Sequence, residues 1–279
     1  MSVLDGVLAE GNADNLDLPE IGMFWYGPKL HRAEQMSMQS YLNQGHRVKL
    51  FCYEEPHGVP EKVQILDANQ VIPENKLFYN QRGGAKGSLG AFSDAFRFRM
   101  FKLFPGIVWS DTDMVCLKPV CDHIDGYRWG FESENRVNGA LLSIPIDSPL
   151  FKWFYHGSMR PNIWMPWDSW NDRYIKFRRF VNRNHPGNIQ HGEYGPTGLT
   201  QAAKYFSLLD TVQPGHVYYP LSYHDWENIY LAPAADSREV LLGATCLHLW
   251  NEAQRWASWD KDGSWRSDSL FEELWSALM

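Results

Sequence analysis

Two apolar periodicities divide this chain into elements. The run Ile21-Gly-Met-Phe-Trp-Tyr26 ends at Gly27-Pro28 and predicts a buried first strand. A helix is predicted from Arg32 to Asn43, closed by Gly45. Val48, Leu50 and Cys52 then alternate with Arg47, Lys49 and Phe51, which is strand periodicity, and Val63–Leu66 predicts another short strand. A β-α-β opening of this kind predicts a parallel sheet with crossover helices.

Ser88 to Phe104 carries the strongest helical pattern. Leu89, Phe92, Phe96, Met100 and Leu103 fall on one narrow stripe, while Phe98, Phe101 and Phe104 lie off it, so little of this helix can face water. Asp94 and Arg97 also lie off the stripe, one turn apart, and opposite charges on a mostly apolar helix need partners. An i,i+3 salt bridge would satisfy them. Pro105-Gly106 stops the helix, and Ile107-Val-Trp109 predicts a strand with Ser110-Asp-Thr-Asp113 at its carboxyl end. Carboxyl ends of strands are where open α/β sheets bind ligands.

Further strands are expected at Tyr127–Phe131, Gly139–Ile144, Val217–Tyr219, Val240–Leu242 and Cys246–Trp250. Helices are expected at Pro149–Gly157, Asn171–Asn182, Leu199–Phe206 and Ser269–Leu278. Residues 1–20 read as a polar lead-in without the basic and apolar regions of a signal peptide. With no internal repeat and no clear linker, residues 21–279 are expected to form a single α/β domain.

Composition narrows the function classes. The 279 residues carry a formal net charge of −7, which argues against general nucleic-acid binding. Four cysteines without a CxxC pair form no disulfide framework, so a reducing, cytoplasmic setting is expected. No apolar stretch is long enough for a membrane span, leaving peripheral membrane attachment as the most that is expected. Thirteen tryptophans fit stacking on sugars or bases, or simply a core.

Asp111-Thr112-Asp113 carries the chemistry. Side chains two apart in extended chain point to the same side, and two adjacent carboxylates repel unless a cation neutralises them. A hard divalent ion fits, because Mg²⁺ or Mn²⁺ takes one or two carboxylates and completes its shell with phosphate oxygens. Asp260-Lys261-Asp262 repeats the pattern, but in a polar stretch with no strand before it, and reads as a solvated loop.

The runs Phe92-Ser-Asp94-Ala-Phe-Arg97 and Phe104-Pro-Gly-Ile-Val-Trp-Ser-Asp111-Thr-Asp113-Met-Val-Cys-Leu-Lys-Pro119 resemble the DXD-containing glycosyltransferases. These include glycosyltransferase family thirty-two, the α-1,4-glycosyltransferases and the clostridial glucosylating toxins. Asn138-Gly-Ala-Leu-Leu-Ser-Ile-Pro145, Gly195-Pro196 and Cys246-Leu-His248-Leu-Trp250 are similar to later blocks of that family, in order. Pro105-Gly106 stands where the family has Gly-Gly, and Asn251-Glu252 where a Ser-Trp often follows the histidine.

The resemblance implies a GT-A fold, that is, a Rossmann-like mixed sheet flanked by helices. It implies a metal-dependent, retaining, hexosyltransferase-like enzyme of polysaccharide biosynthesis. A sugar would pass from a nucleoside-diphosphate donor, UDP-linked by resemblance, to a glycan or glycolipid hydroxyl, with Mn²⁺ or Mg²⁺ as cofactor. Carried over residue by residue, Asp111, Asp113 and His248 would hold the metal. Trp25, Asp94, Arg97, Asp111 and Trp250 would bind the donor. Asn138 would join Asp111 and Asp113 near the reacting carbon.

Each assignment has a structural counterpart. His248 sits in a period-two run with Cys246 and Trp250 on one sheet face, where a core histidine is the commoner occupant. Trp25 fits a core as well as a stacking platform. In the segment Asn171–His185, Lys176, Arg179 and Arg183 share one helix face, and Tyr174, Phe177 and Val181 another, preceded by Trp164, Trp167 and Trp170. This pattern predicts a surface helix packed by its aromatic face; the sharper alternative is contact with an anionic membrane or a lipid-diphosphate acceptor.

Two rival functions remain. Ile107–Val115 also fits the DxDx(T/V) motif of haloacid-dehalogenase-like phosphatases, with Asp111 as nucleophile and Asp113 as acid/base. That family opens its domain with the motif, whereas a β-α-β region precedes it here. A non-catalytic carbohydrate-binding module would explain the tryptophans but not Asp94, Arg97 and the paired aspartates together.

Overall fold

A computed structural model describes residues 4–8, 17–182 and 184–279. In chain order β1 (Ile21–Phe24), α1 (Arg32–Asn43), β2 (Val48–Cys52) and β3 (Gln64–Asp67) open the fold. Next come α2 (Gly90–Leu103), β4 (Val108–Ser110), β5 (Met114–Cys116), β6 (Arg128–Ser133) and β7 (Arg136–Ser143). Helices α3 (Phe151–Gly157), α4 (Trp170–Val181), α5 (Pro196–Tyr205), α6 (Gly215–Tyr218), α7 (Asn228–Leu231) and α8 (Arg238–Leu241) follow, before β8 (Cys246–His248), α9 (Asn251–Trp256) and α10 (Leu270–Leu278).

Six strands form one sheet in the order β3-β2-β1-β4-β7-β6, and β5 and β8 pair separately. The β-α-β opening is parallel, as the pattern requires: β1 runs parallel to β2 and β4, and β2 to β3. Strand β7 is antiparallel to both β4 and β6. The chain is thus mixed α/β with helices flanking the sheet, consistent with a GT-A-like fold.

Successive strand residues point to opposite faces, and both faces are covered. Val108, Leu50 and Leu141 pack with Met36 and Tyr41 of α1 and Leu274 of α10. Their neighbours Trp109, Phe51 and Leu142 pack with Phe92, Phe96 and Phe98 of α2 on the other face. This is why β4 reads as continuously apolar and why α2 buries most of its circumference. Leu103 is the exception: it sits in the last turn and is exposed despite lying on the predicted stripe.

Several expectations change. Val217–Tyr219 and Val240–Leu242 are not strands. Val217 falls in α6, where Pro214 caps the turn and Gly215 approaches the Phe131 carbonyl so closely that a Cβ would lie 2.8 Å from it. Val240 falls in α8, which buries Leu241 and leaves Val240 exposed, so no alternating buried face forms there. Met114–Cys116 forms a strand that the periodicity does not predict. Strand β8 ends at His248, because Trp250 adopts a left-handed backbone (φ 57°) that breaks the alternation. The lead-in is not merely polar: Leu4 and Val7 are buried in the core.

The segment 170–181 is helical as expected, but its faces are reversed. Lys176 and Arg179 are buried, paired with Asp168 and Glu193, while Tyr174, Phe177 and Val181 are exposed. Burying two cations is tolerable because two carboxylates meet them. Among the described residues the basic face therefore turns inward; Arg183 lies outside them.

Candidate active site

A cleft of about 640 Å³ opens at the carboxyl ends of β1 and β4. Trp25, Asp94, Arg97, Asp111, Asp113, Asn138, His248 and Trp250 all line it. Its volume lies in the range of small-ligand sites.

Arg97 is the cleft's buried cation. From α2 its Nη2 lies 3.3 Å from Asp94 Oδ1 and 3.3 Å from Asp111 Oδ1. Its Nη1 donates to the Gly139 carbonyl. The i,i+3 pair with Asp94 therefore forms, and the same guanidinium also reaches the doublet. Gly139 leaves room for this approach, since a Cβ there would stand 2.8 Å from Arg97 Nη1 and force the guanidinium to shift. Gly195 plays a similar part for Asp94, with a Cβ position 3.1 Å from its carboxylate.

Asp111 follows β4, and its backbone N–H donates to the Ala140 carbonyl at 2.7 Å. The Trp109 indole N–H donates to its Oδ1 at 2.6 Å. Burial lifts its pKa to about 6, against the pull of Arg97 and with a further push from the Asp113 charge.

Asp113 has the opposite environment. Burial alone would raise it, but His248, the Asn251 backbone N–H and Lys261 together hold it below the usual carboxylate range. Burial opposes charge on His248, yet Asp113 and Asp111 outweigh it and raise its pKa.

The β5–β8 register creates this contact. Met114 pairs with His248, which sets the imidazole beside the residue preceding Met114. His248 Nε2 lies 3.2 Å from Asp113 Oδ2, and its buried Nδ1 has no hydrogen-bond partner. One ligand atom each from Asp111, Asp113 and His248 falls within 4.8 Å of the others. Two carboxylate oxygens, an imidazole nitrogen and room in the cleft for further oxygen ligands suit Mn²⁺ or Mg²⁺.

Asn138 lies inside β7, which begins three residues before the predicted Gly139. Its Nδ2 donates to Glu132 Oε2 at 2.6 Å and its Oδ1 accepts from the Ala140 N–H at 2.7 Å, so the amide orientation is fixed at both ends. Glu132 is in turn paired with Arg136. Trp250 lies 4.1 Å from the His248 ring, centroid to centroid, although it has left the strand. Trp25 is half-buried, with its indole N–H unpartnered.

Two residues of the site, Lys261 and Glu34, are not predicted by the sequence pattern. Lys261, placed in a solvated loop, lines the cleft and lies 5.7 Å over the Trp25 ring. The fully buried Glu34 of α1 holds it, accepting from Lys261 Nζ at 2.6 Å and from Asn251 Nδ2 at 2.8 Å. Asp262 does stay at the surface, paired with Lys29. The available signal was a lone acid on the apolar side of α1, which needs a cationic partner from elsewhere.

No protein-family model matches the chain, and no curated protein matches it. Among solved structures, a chain titled PaToxG Glycosyltransferase aligns with 93% of this chain and 87% of its own length, at 11% identity and a TM-score of 0.41.

Proposed function

We propose that the cleft transfers a sugar from a nucleoside-diphosphate sugar to a hydroxyl acceptor. The observation that carries this reading is the gathering of Asp111, Asp113 and His248 into one potential metal site beside a buried arginine. Asp111, Asp113 and His248 would hold Mn²⁺ or Mg²⁺, which when bound supplies positive charge to the diphosphate oxygens.

The chain's own residues then divide the task. Arg97 offsets charge that builds on the departing diphosphate, in a walled site where a fixed cation acts strongly. Lys261 adds a second cation on the Trp25 side of the cleft. Trp25 offers its ring to the nucleobase. Asp94, held by Arg97, accepts from donor-sugar hydroxyls. Asn138, fixed by Glu132, faces the reacting carbon, and Trp250 closes the wall beside His248. Reaction with retention through an oxocarbenium-like transition state, the UDP donor and a glycan or glycolipid acceptor belong to the same proposal and follow the resemblance.

A thermal-shift series with nucleotide sugars, with and without Mn²⁺, tests it, since a ligand specific for the folded state raises its stability. Stabilisation by a nucleotide sugar only when metal is present, abolished in Asp113→Ala, is the expected result. Full metal-dependent donor turnover by Asp113→Ala would overturn the assignment. The anomer of the product, read by NMR, decides retention.

A further inference from the structure

Helix α4 is amphipathic in the inverse sense. Its inward face is ionic: Lys176 meets Asp168 at 2.7 Å and Arg179 meets Glu193 at 2.8 Å. Its outward face is apolar. Trp170, Tyr174, Phe177 and Val181 recur at i, i+4, i+7 and i+11, one straight stripe on a helix. Phe180 lies beside the stripe and Trp164 precedes it. All six are exposed, Trp170 at 82%. Scattered surface hydrophobics need no explanation, but a continuous aromatic stripe does.

The charges around the stripe identify what covers it. At helical spacing Arg173 borders one side and Arg178 the other. Arg173 lies 5.2 Å over the Trp170 ring and 5.6 Å over Trp164, and Arg178 lies 6.0 Å over Tyr174. The single acidic residue of the helix, Asp172, is engaged in the capping box with Ser169 at its start. The stripe is thus bordered by cations in a chain whose formal net charge is −7.

We propose that the outward face of α4 docks on an anionic lipid bilayer, lying flat in the headgroup region. Tryptophan and tyrosine prefer that zone, where the ring is apolar-solvated and the N–H or O–H stays wet. Arginines flanking the stripe extend to the lipid phosphates while their stems cover apolar surface. A second copy of this chain fits less well, because two such faces in a two-fold pair would set arginines against arginines. The same ion pairs that turn the basic residues inward hold the aromatic face rigid. Glu193, which pairs with both Lys176 and Arg179, belongs to the loop whose His191 and Gly192 line the cleft. Docking by α4 therefore sets the cleft one loop away from the bilayer surface, whatever chemistry the cleft performs.

Flotation of the whole chain with phosphatidylcholine vesicles, with and without phosphatidylserine, tests this in the absence of nucleotide sugar and metal. Wild type is expected to float with the phosphatidylserine vesicles. Trp170→Ala/Tyr174→Ala/Phe177→Ala should partition at least about tenfold more weakly. Arg173→Glu/Arg178→Glu, which keeps the aromatic stripe, should lose binding to the anionic vesicles. Melting curves of both variants serve as the control for folding. Failure of wild type to float, or flotation of either variant at the wild-type level, overturns the proposal. So does a wild-type dimer that the aromatic triple variant dissociates and the vesicles leave unaffected, which would assign the face to self-association.

Discussion

The backbone N–H of Asn251 donates to Asp113 Oδ2 at 2.8 Å, across 138 residues of sequence. The left-handed Trp250 aims that N–H, and the β5–β8 pairing delivers His248 to the same carboxylate. Asp113 therefore stays ionised in a buried place, which is what a metal-holding carboxylate needs. Asp113→Ala is expected to lower metal-dependent donor turnover by about 10²-fold or more, in line with losing one preorganised charge contact. The same variant should show no Mn²⁺-induced shift in melting temperature. His248→Ala should lose a smaller part of both, since two carboxylates remain.

Gly139 tests whether Arg97 must sit where it does. A methyl group at this position meets Arg97 Nη1 at 2.8 Å and Leu199 at 2.9 Å. Gly139→Ala is expected to cost about 1–3 kcal/mol in urea unfolding, as overpacked cores do. Donor turnover should fall further than stability accounts for, because the guanidinium is pushed away from Asp111. An unchanged turnover in a stably folded Gly139→Ala protein would remove Arg97 from the proposed mechanism.

Lys261 separates donor binding from architecture. Lys261→Ala should raise the donor KM by about 10- to 100-fold, the worth of a charge-assisted hydrogen bond of roughly 1.5–3 kcal/mol. Metal affinity should change far less, since Lys261 acts on Asp113 more weakly than His248 and the Asn251 N–H do. Glu34 keeps the Asn251 amide and the His31 N–H as partners, so the fold should persist. Steady-state kinetics with varied donor and fixed metal would check the split.

His46 gives a pH dependence remote from the cleft. Burial lowers its pKa below the ordinary 6.5, with the Pro19 carbonyl acting in the opposite sense. Its Nε2 accepts from the Val120 N–H at 3.0 Å, and Nδ1 lies 2.9 Å from the Pro19 carbonyl, an arrangement that requires the neutral ring. The unfolded chain protonates first as pH falls, so this contribution is complete above about 6.5 and is lost as pH drops towards the folded value. Urea unfolding should show wild type ahead of His46→Ala by about 1–3 kcal/mol at neutral pH. That lead should shrink in acid. A lead that stays constant across the range would contradict the neutral-ring geometry.

The chain's local pattern determined the elements that local physics controls. Buried strands β1, β2 and β4, helix α1 within its ends and the nearly all-round apolar α2 follow from period and punctuation alone, because their burial is dictated by residue type. The acidic doublet at a strand end, and the need of Asp94 and Arg97 for partners, were legible for the same reason. Short elements were not. Val217 and Val240 have strand-like neighbours, yet both lie in short helical turns of four residues.

Only the tertiary structure decided which groups meet. Strand β8 carries His248 to Asp113, Glu34 draws Lys261 from a polar loop into the cleft, and two acidic partners reverse the faces of α4. The first two depend on pairing between residues far apart in sequence, and the third on acids 8 and 14 residues from their cations. Periodicity says which side of an element seeks burial; it does not say where a buried charge will find its opposite, and that requirement overrode the aromatic stripe of α4.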